Sequence, residues 1–218
     1  MQPPVQRIDV GAVALEADLS LPERARGLVV FAHASGSARR SPRNRLFARA
    51  LQQQGLATLV FDLLLPQEST DRGKSFDIEL LSRRLEQVIA WIDGHPKLAM
   101  LPLALLAAGT GAAAALVVAA RLPHRIGAIV SRGGRPDLAG PALAHVGAPT
   151  LLIVAADDVH ALAQNREALG QLHAQAQLSL VGPGADSFED PGDLDRAAAL
   201  AARWLVAHLP PVGQVVGR

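Results

Sequence analysis

The chain opens on alternation. Arg7-Ile8-Asp9-Val10 and then Ala12 to Leu19 put apolar residues at every second position, with Gly11 between the two runs. A period of two marks half-buried strands, so the spacing predicts an antiparallel hairpin that Pro22 ends. Beyond it the pattern changes to short continuous apolar runs over 27–32, 56–63, 101–108, 126–130, 150–155 and 178–181. Such runs are strands buried on both faces, the form taken inside a parallel sheet. Stretches of helical period separate them. In the longest, Asp77 to Asp93, the positions Ile78, Leu81, Leu85, Val88, Ile89 and Ile92 form one apolar stripe. Further helices are predicted over 42–54, 112–121, 161–173 and 193–208. Strands alternating with helices predict an α/β fold: a mostly parallel central sheet with an N-terminal antiparallel hairpin and helices on both faces. The gaps leave no room for a cap domain and show no internal repeat. The expectation is one domain over residues 1–218, with its core from about 7 to 209.

Composition narrows the classes of function. Of 218 residues, 50% are hydrophobic and 19% charged, which suits a packed core and not a disordered chain. Aromatics make up 3% and tyrosine is absent, which argues against a stacking platform for single-stranded nucleic acid. A formal net charge of +1 gives no reason to expect nucleic-acid or membrane-surface binding. With no cysteine, disulfides, thiolate metal sites and a cysteine nucleophile are excluded. The opening MQPPVQRIDV lacks a basic region followed by an apolar one, so no secretory signal is expected and the cytoplasm is the expected location. The apolar stretch from Leu98 to Ala120 is interrupted by Gly109-Thr110-Gly111, which suits a buried strand and helix, not a membrane span.

In open α/β sheets, ligands bind beyond the carboxyl ends of the strands. The segments in that position are His33-Ala34-Ser35-Gly36-Ser37, Asp62 to Pro66, Gly109-Thr110-Gly111, Ser131 to Arg135, Ala155 to Asp158, and Gly182 to Ser187. The phrases VVFAHASGSARRSPRNR, ATLVFDLLLPQE, SFDIELLSRRL, LLAAGTGAAAAL, IVSRGGRPDLAG and APTLLIVAADD follow one another in an order and spacing that span roughly residues 7 to 209. Through them the chain resembles the α/β-hydrolase superfamily, and within it the dienelactone-hydrolase-like group. That group is also found with phosphoribosyltransferase domains.

The resemblance implies a serine at a sharp strand-to-helix turn, flanked by small residues. Here that turn reads Ala107-Ala108-Gly109-Thr110-Gly111, so Gly109 stands in the nucleophile position and has no side chain to attack with. Slipping the motif by one residue would make Thr110 the nucleophile. The family acid falls on Asp158 or Asp157. The family histidine belongs in a phrase that here reads Gly184-Ala185-Asp186-Ser187-Phe188, and no histidine is present near Ser187. Losing the nucleophile or the base costs serine hydrolases about 10⁴–10⁶ in rate. The resemblance therefore implies a hydrolase-family protein with a degenerate triad that retains Asp158. Its expected partner is a small, anionic ligand, with a phosphoribosyltransferase-type or self partner as a further possibility.

An anion site is expected at this edge even without a nucleophile. The oxyanion hole of the family uses backbone N–H groups, which Thr110, Gly111 and the loop of Ala34, Ser35 and Gly36 can supply. The family usually has glycine where this chain has Ala34. Gly109 to Gly111 opens a helix, whose N-terminus favours anions. Arg39, Arg132 and Arg135 follow strands and are equally readable as anion ligands or as loop anchors. Arg43 and Arg45 read as solvated positions on a helix start. His33 reads as a structural histidine hydrogen-bonded within its loop, and His160 as a surface residue opening a helix. The Asp157-x-x-His160 spacing is too sparse for a metal site, and no cofactor is expected.

Two other readings stay open. One is an active hydrolase of esters or lactones, working through Asp158 with Thr110 or a histidine. The other is a dinucleotide-binding protein, since Gly109, Gly111 and Ala114 fit G-x-G-x-x-A between a strand and a helix.

Overall fold

A computed structural model describes residues 5–10, 13–34, 38–182 and 191–213. The first two strands are β1 (Val5–Val10) and β2 (Val13–Ser20), paired antiparallel as the alternation predicts. Then β3 (Leu28–Ala32), α1 (Pro42–Gln53) and β4 (Ala57–Phe61) follow. Two single-turn helices, α2 (Pro66–Ser69) and α3 (Arg72–Ser75), lead into α4 (Ile78–Asp93). The second half runs β5 (Leu103–Gly109), α5 (Thr110–Arg121), β6 (Ile126–Gly134), β7 (Thr150–Ala155), α6 (Val159–Gln171), β8 (Ala176–Val181) and α7 (Pro191–His208). All eight strands join one sheet in the order β1-β2-β4-β3-β5-β6-β7-β8. From β4 to β8 every pairing is parallel, and β2 meets β4 antiparallel.

The continuous apolar runs are explained by burial on both sides. In β3, Leu28, Val30 and Ala32 join one core, with Leu81, Leu85 and Val88 of α4 and the alanines of α5. Val29 and Phe31 point the other way, into a second core with Phe47 and Leu51 of α1 and Leu205 of α7. Successive side chains of a strand face opposite sides, so an all-apolar strand needs a helix layer on each face.

Helix starts follow local chemistry. Ser41 caps α1 by accepting a hydrogen bond from Asn44 N, and Pro42 occupies the first turn, where a missing N–H costs nothing. Asp77 caps α4 through Leu80 N at 2.9 Å. Two features were not anticipated. The 66–75 segment forms α2 and α3, too short to show a periodicity. Strand β6 continues past Val130 to Gly134 because its end pairs with Gly109.

The order of strands creates one topological switch. From β3 the chain crosses to β4 on one side, and β5 is then laid down on the other side of β3. The crevice between the diverging connections opens at the carboxyl ends of β3 and β5. Helix α5 starts there, and it lies very close to β3. A Cβ built on Gly111 would sit 2.1 Å from the Ala32 carbonyl oxygen. Only glycine lets the first turn of α5 approach that backbone.

This contact is testable. Gly111→Ala is expected to cost about 1–3 kcal/mol, by overpacking against backbone that cannot move aside. Gly170→Ala, on the exposed side of α6 with open space around it, is expected to gain about 0.5–1 kcal/mol from helix propensity. Urea denaturation of the two variants measures both.

Candidate functional site

A cleft of about 470 Å³ lies at the switch point. Its floor is made by His33 and Ala34 after β3, by Ala108, Gly109 and Thr110 at the β5–α5 turn, and by Arg132 from β6. Ser41, Arg43 and Asn44 at the start of α1 form one wall. Ser69, Ser75 and Phe76, from the segment of the two short helices, form the other.

The turn at Gly109 is the centre of this geometry. Gly109 has φ 54° and ψ −136°, a backbone shape that side-chain-bearing residues adopt only under strain. It is exposed, and a Cβ built on it meets nothing within 4 Å. Its carbonyl accepts a hydrogen bond from Arg135 N at 2.9 Å, which ties the turn to the end of β6. Gly134 is packed there so that a Cβ would meet Ser131 Oγ at 2.2 Å and Ala112 Cβ at 2.5 Å. The sharp strand-to-helix turn is therefore kept with no hydroxyl on it. Thr110 is the first residue of α5, one position past the strained residue. No side chain caps α5, and a helix leaves its first four N–H groups without internal partners.

Arg132 brings charge to the floor. It is a β6 residue and not the loop residue expected; it is 8% exposed and its guanidinium lies 4.8 Å over the Phe47 ring. Its Nη2 donates to Asn44 Oδ1 at 3.3 Å, and Asn44 in turn donates to the Ala38 carbonyl at 3.1 Å. Burial, and then the nearby Arg43 charge, bring the Arg132 guanidinium down to about 10. His33 is 4% exposed and its imidazole is held down to about 3, by burial first and by the Arg132 charge second. Its Nε2 is buried with no hydrogen-bond partner. On either side of the residues not described, Leu63 N donates to the His33 carbonyl at 2.8 Å and the Asp62 carboxylate accepts from Ala38 N at 2.6 Å.

The outer wall is held by one carboxylate. Glu68 accepts from Arg84 Nη1 at 2.6 Å and Nη2 at 3.0 Å, from Lys74 Nζ at 3.2 Å and from Leu65 N at 3.0 Å. Arg84, 7% exposed on α4, also donates to the Leu63 carbonyl at 2.8 Å. The Arg84 hydrogen bonds above all hold the Glu68 carboxyl at about 2. This cluster pins the segment that carries Ser69, Ser75 and Phe76 to the cleft.

The remaining expected residues divide clearly. Arg39 does not reach the cleft; it pairs with Asp18 at 3.0 Å and with Glu16. Arg135 forks onto Asp137, with Nη2 to Oδ2 at 2.7 Å and Nε to Oδ1 at 2.9 Å. Both act as loop anchors. Arg43, expected in solvent, is half-buried in the cleft wall, whereas Arg45 is exposed. Asp158 follows β7, is exposed, and caps α6 by accepting from Ala161 N at 2.8 Å. His160 is exposed in the first turn of α6. Ser35, Gly36 and Ser187 lie outside the described residues. Among the described residues no group of three or more His, Cys, Asp or Glu side chains is placed to hold a metal ion, and no helix is long and apolar enough to cross a membrane.

Sequence reasoning missed Asn44, Phe76, Ser69 and Ser75, and undervalued His33 and Arg43. For His33 the signal was available: it directly follows a buried strand at the switch point. Ser69, Ser75 and Phe76 gave no signal, because the Glu68–Arg84 pair that ties their segment to α4 joins residues 16 positions apart.

Eight strands in this order, with a strained glycine turn between β5 and α5, define an α/β-hydrolase fold. The chain is 45% identical to a dienelactone hydrolase from Anabaena variabilis, over 96% of this chain and 100% of that one, with a TM-score of 0.89. It belongs to the dienelactone hydrolase family of α/β-hydrolases. A promiscuous phosphotriesterase from metagenomic libraries, described as dienelactone hydrolase-like, shares the fold at 19% identity and a TM-score of 0.74, over 96% of this chain and 100% of that one. A protein from Mycobacterium tuberculosis, named provisionally as a phosphoribosyl transferase, is 47% identical over 203 residues, which is 93% of this chain and 46% of the relative. The chain thus spans about half the length of the curated relatives it matches. No family model matches it.

The buried histidine sets a pH dependence. Unfolded, a histidine takes its proton as pH falls through about 6.5; folded, His33 does so only at about 3. The unfolded state then binds the extra proton, so this contribution to stability is complete above about 6.5 and is lost as pH falls toward about 3. Glu68 adds a second loss, confined to the range from about 4.5 down to about 2. Urea midpoints at pH 7.5, 6.0 and 5.0 should fall steadily for the native chain. In His33→Phe the decline over that range should be smaller.

Proposed function

We propose that this chain binds a small anionic molecule in the cleft at the Gly109 turn and does not carry out ordinary serine-hydrolase catalysis there. The observation that carries the reading is Gly109 itself: the strained turn at φ 54° and ψ −136° opens onto free space, with no side chain to act as nucleophile. Around it, the open N-terminus of α5 and the Arg132 and Arg43 side chains supply positive potential. Burial first, and the Arg132 charge second, lower His33, and burial first, with the Arg43 charge second, lowers Arg132. Backbone N–H groups at a helix start recognise an oxyanion whether or not an acyl-enzyme forms. Asp158, at the position of the family acid, spends an oxygen on capping α6, and no histidine occurs between 182 and 190 to serve as its partner.

The test restores the missing hydroxyl. Gly109→Ser is expected to fold, at a cost of about 1–3 kcal/mol for the strained backbone, because its side chain enters open space. It is expected to show no efficient turnover of p-nitrophenyl acetate, lactones or thioesters, since the chain has no histidine between 182 and 190, where the family places its base. An ordinary esterase from this single change would overturn the reading. So would steady turnover of activated esters by the native chain that Asp158→Ala abolishes, or covalent labelling of Thr110 by a fluorophosphonate.

A further inference from the structure

We infer that the outer edge of β8 is a docking surface for a second copy of this chain, the two β8 strands pairing antiparallel about a two-fold axis at Ser179. The surface is separate from the cleft and does not depend on what the cleft binds. Strand β8 ends the sheet and is paired on one side, by β7. Folded proteins commonly blunt such an edge with a charge, a proline or a bulge. This strand, AQLSLV, has no charged residue and no proline, and its register with β7 runs unbroken from Ala176 to Val181. Leu180 is 47% exposed on it, and Val159, in the first turn of α6, is 73% exposed.

The backbone decides how a second strand fits. Thr150 N donates to the Gln175 carbonyl at 2.9 Å and Ala156 N to the Val181 carbonyl at 3.0 Å, so the odd-numbered residues turn their backbone groups toward β7. Alternate residues of a strand turn theirs the other way. Ala176, Leu178 and Leu180 therefore send both N–H and C=O outward, and among the described residues no strand pairs with them there. Their side chains share the α6 face, since Ala176 lies against the core that includes Ala168 and Leu172 of α6, whereas Val181 belongs to the opposite core. With the axis at Ser179, Leu178 of each copy stands opposite Leu180 of the other, each pair exchanging both its N–H···O bonds. Leucines from both copies then line one face together. A second copy is the occupant because the strand complements itself: the rotation brings leucine to leucine, serine to serine, and no charge to a like charge. Helix α6, on that face, carries Arg166 and Glu167 as its charged residues, so the two copies meet with balanced charge. Pairing uses up the β8 edge of both copies, so the assembly closes as a dimer and does not extend into a fibre.

The full chain has no cysteine, so Ser179→Cys places a single thiol on the axis. A non-hydrogen-bonded pair there has its Cα atoms about 4.5 Å apart, inside the range of about 4.4–6.8 Å that a disulfide spans. Diamide is expected to convert Ser179→Cys into a covalent dimer, and to leave Gln177→Cys, on the same strand face but off the axis, largely uncrosslinked. Sedimentation of the native chain over a concentration series is expected to show a reversible step from 22.8 kDa to twice that mass. Leu180→Pro removes an outward N–H and leaves the bonds to β7 in place, and Ser179→Lys sets like charges directly opposite. Each change counts once in each copy, so each is expected to weaken association by about tenfold or more, with far-UV circular dichroism unchanged. A native chain that stays at 22.8 kDa at every concentration overturns the inference. So does a dimer that Ser179→Lys leaves undiminished, which places the interface on another face. Equal crosslinking of Gln177→Cys and Ser179→Cys removes the axis from Ser179 and overturns it as well. None of these outcomes touches the reading of the cleft.

Discussion

The approach of Gly111 to the Ala32 carbonyl governs the arrangement of this molecule's functional edge. The space between the first turn of α5 and the end of β3 is too small for a single methyl group. That closeness has two effects. It seats the alanine-rich face of α5 directly on the sheet, which is why Ala112 to Ala115 are buried without larger side chains between them. It also puts the open N-terminus of α5 beside the loop that begins at His33. The turn before α5 must then be sharp, and Gly109 takes the strained φ and ψ that the geometry demands. Gly134 makes the matching concession on the β6 side, where Ser131 and Ala112 leave it no room for a side chain.

Side chains at this edge are held by the packing around them. Arg132 is held in place from below by Phe47 and from the side by Asn44, which is itself anchored to the Ala38 carbonyl. The cost of keeping such a guanidinium buried is visible in its lowered protonation range and in that of His33. Two other arginines near the sheet edge anchor loops. Arg39 and Arg135 sit among carboxylates and are neutralised locally, so they stabilise loops and add little to the cleft. The distinction lies in which neighbours the fold provides, since the residue type is the same.

Membership in a hydrolase family and a glycine at the strand-to-helix turn are compatible on physical grounds. The strained turn, the close helix and the loop after β3 are properties of the backbone. Glycine holds such a turn at little cost, because it adopts a positive φ with little penalty. Asp158 accepts a hydrogen bond from Ala161 N, which gives it a structural use as a helix cap.

Much of the fold was legible from the order of residues. Apolar runs with a period of two, continuous runs, and a period near 3.6 reflect local geometry, so the hairpin, the six parallel strands and the five longer helices could all be read from the chain. The Gly109 turn was legible for the same reason, since strand, small residues and helix follow one another without a gap. What the sequence could not express was pairing between distant residues. Arg43 and Arg45 look alike along the chain, and only the packing of α1 turns one into the cleft and leaves the other exposed. Arg132 and Arg135 stand three positions apart; the pairing of β5 with β6 draws the first into the sheet, while the second forks onto its near neighbour Asp137. The wall carrying Phe76 exists because Glu68 meets Arg84 across 16 residues. The sequence by itself determined the elements and the glycine at the elbow, because each is written in consecutive residues. Tertiary structure alone decided which charged side chains line the cleft and that His33 Nε2 is buried without a hydrogen-bond partner, because burial and pairing depend on residues that the fold brings together from distant parts of the chain.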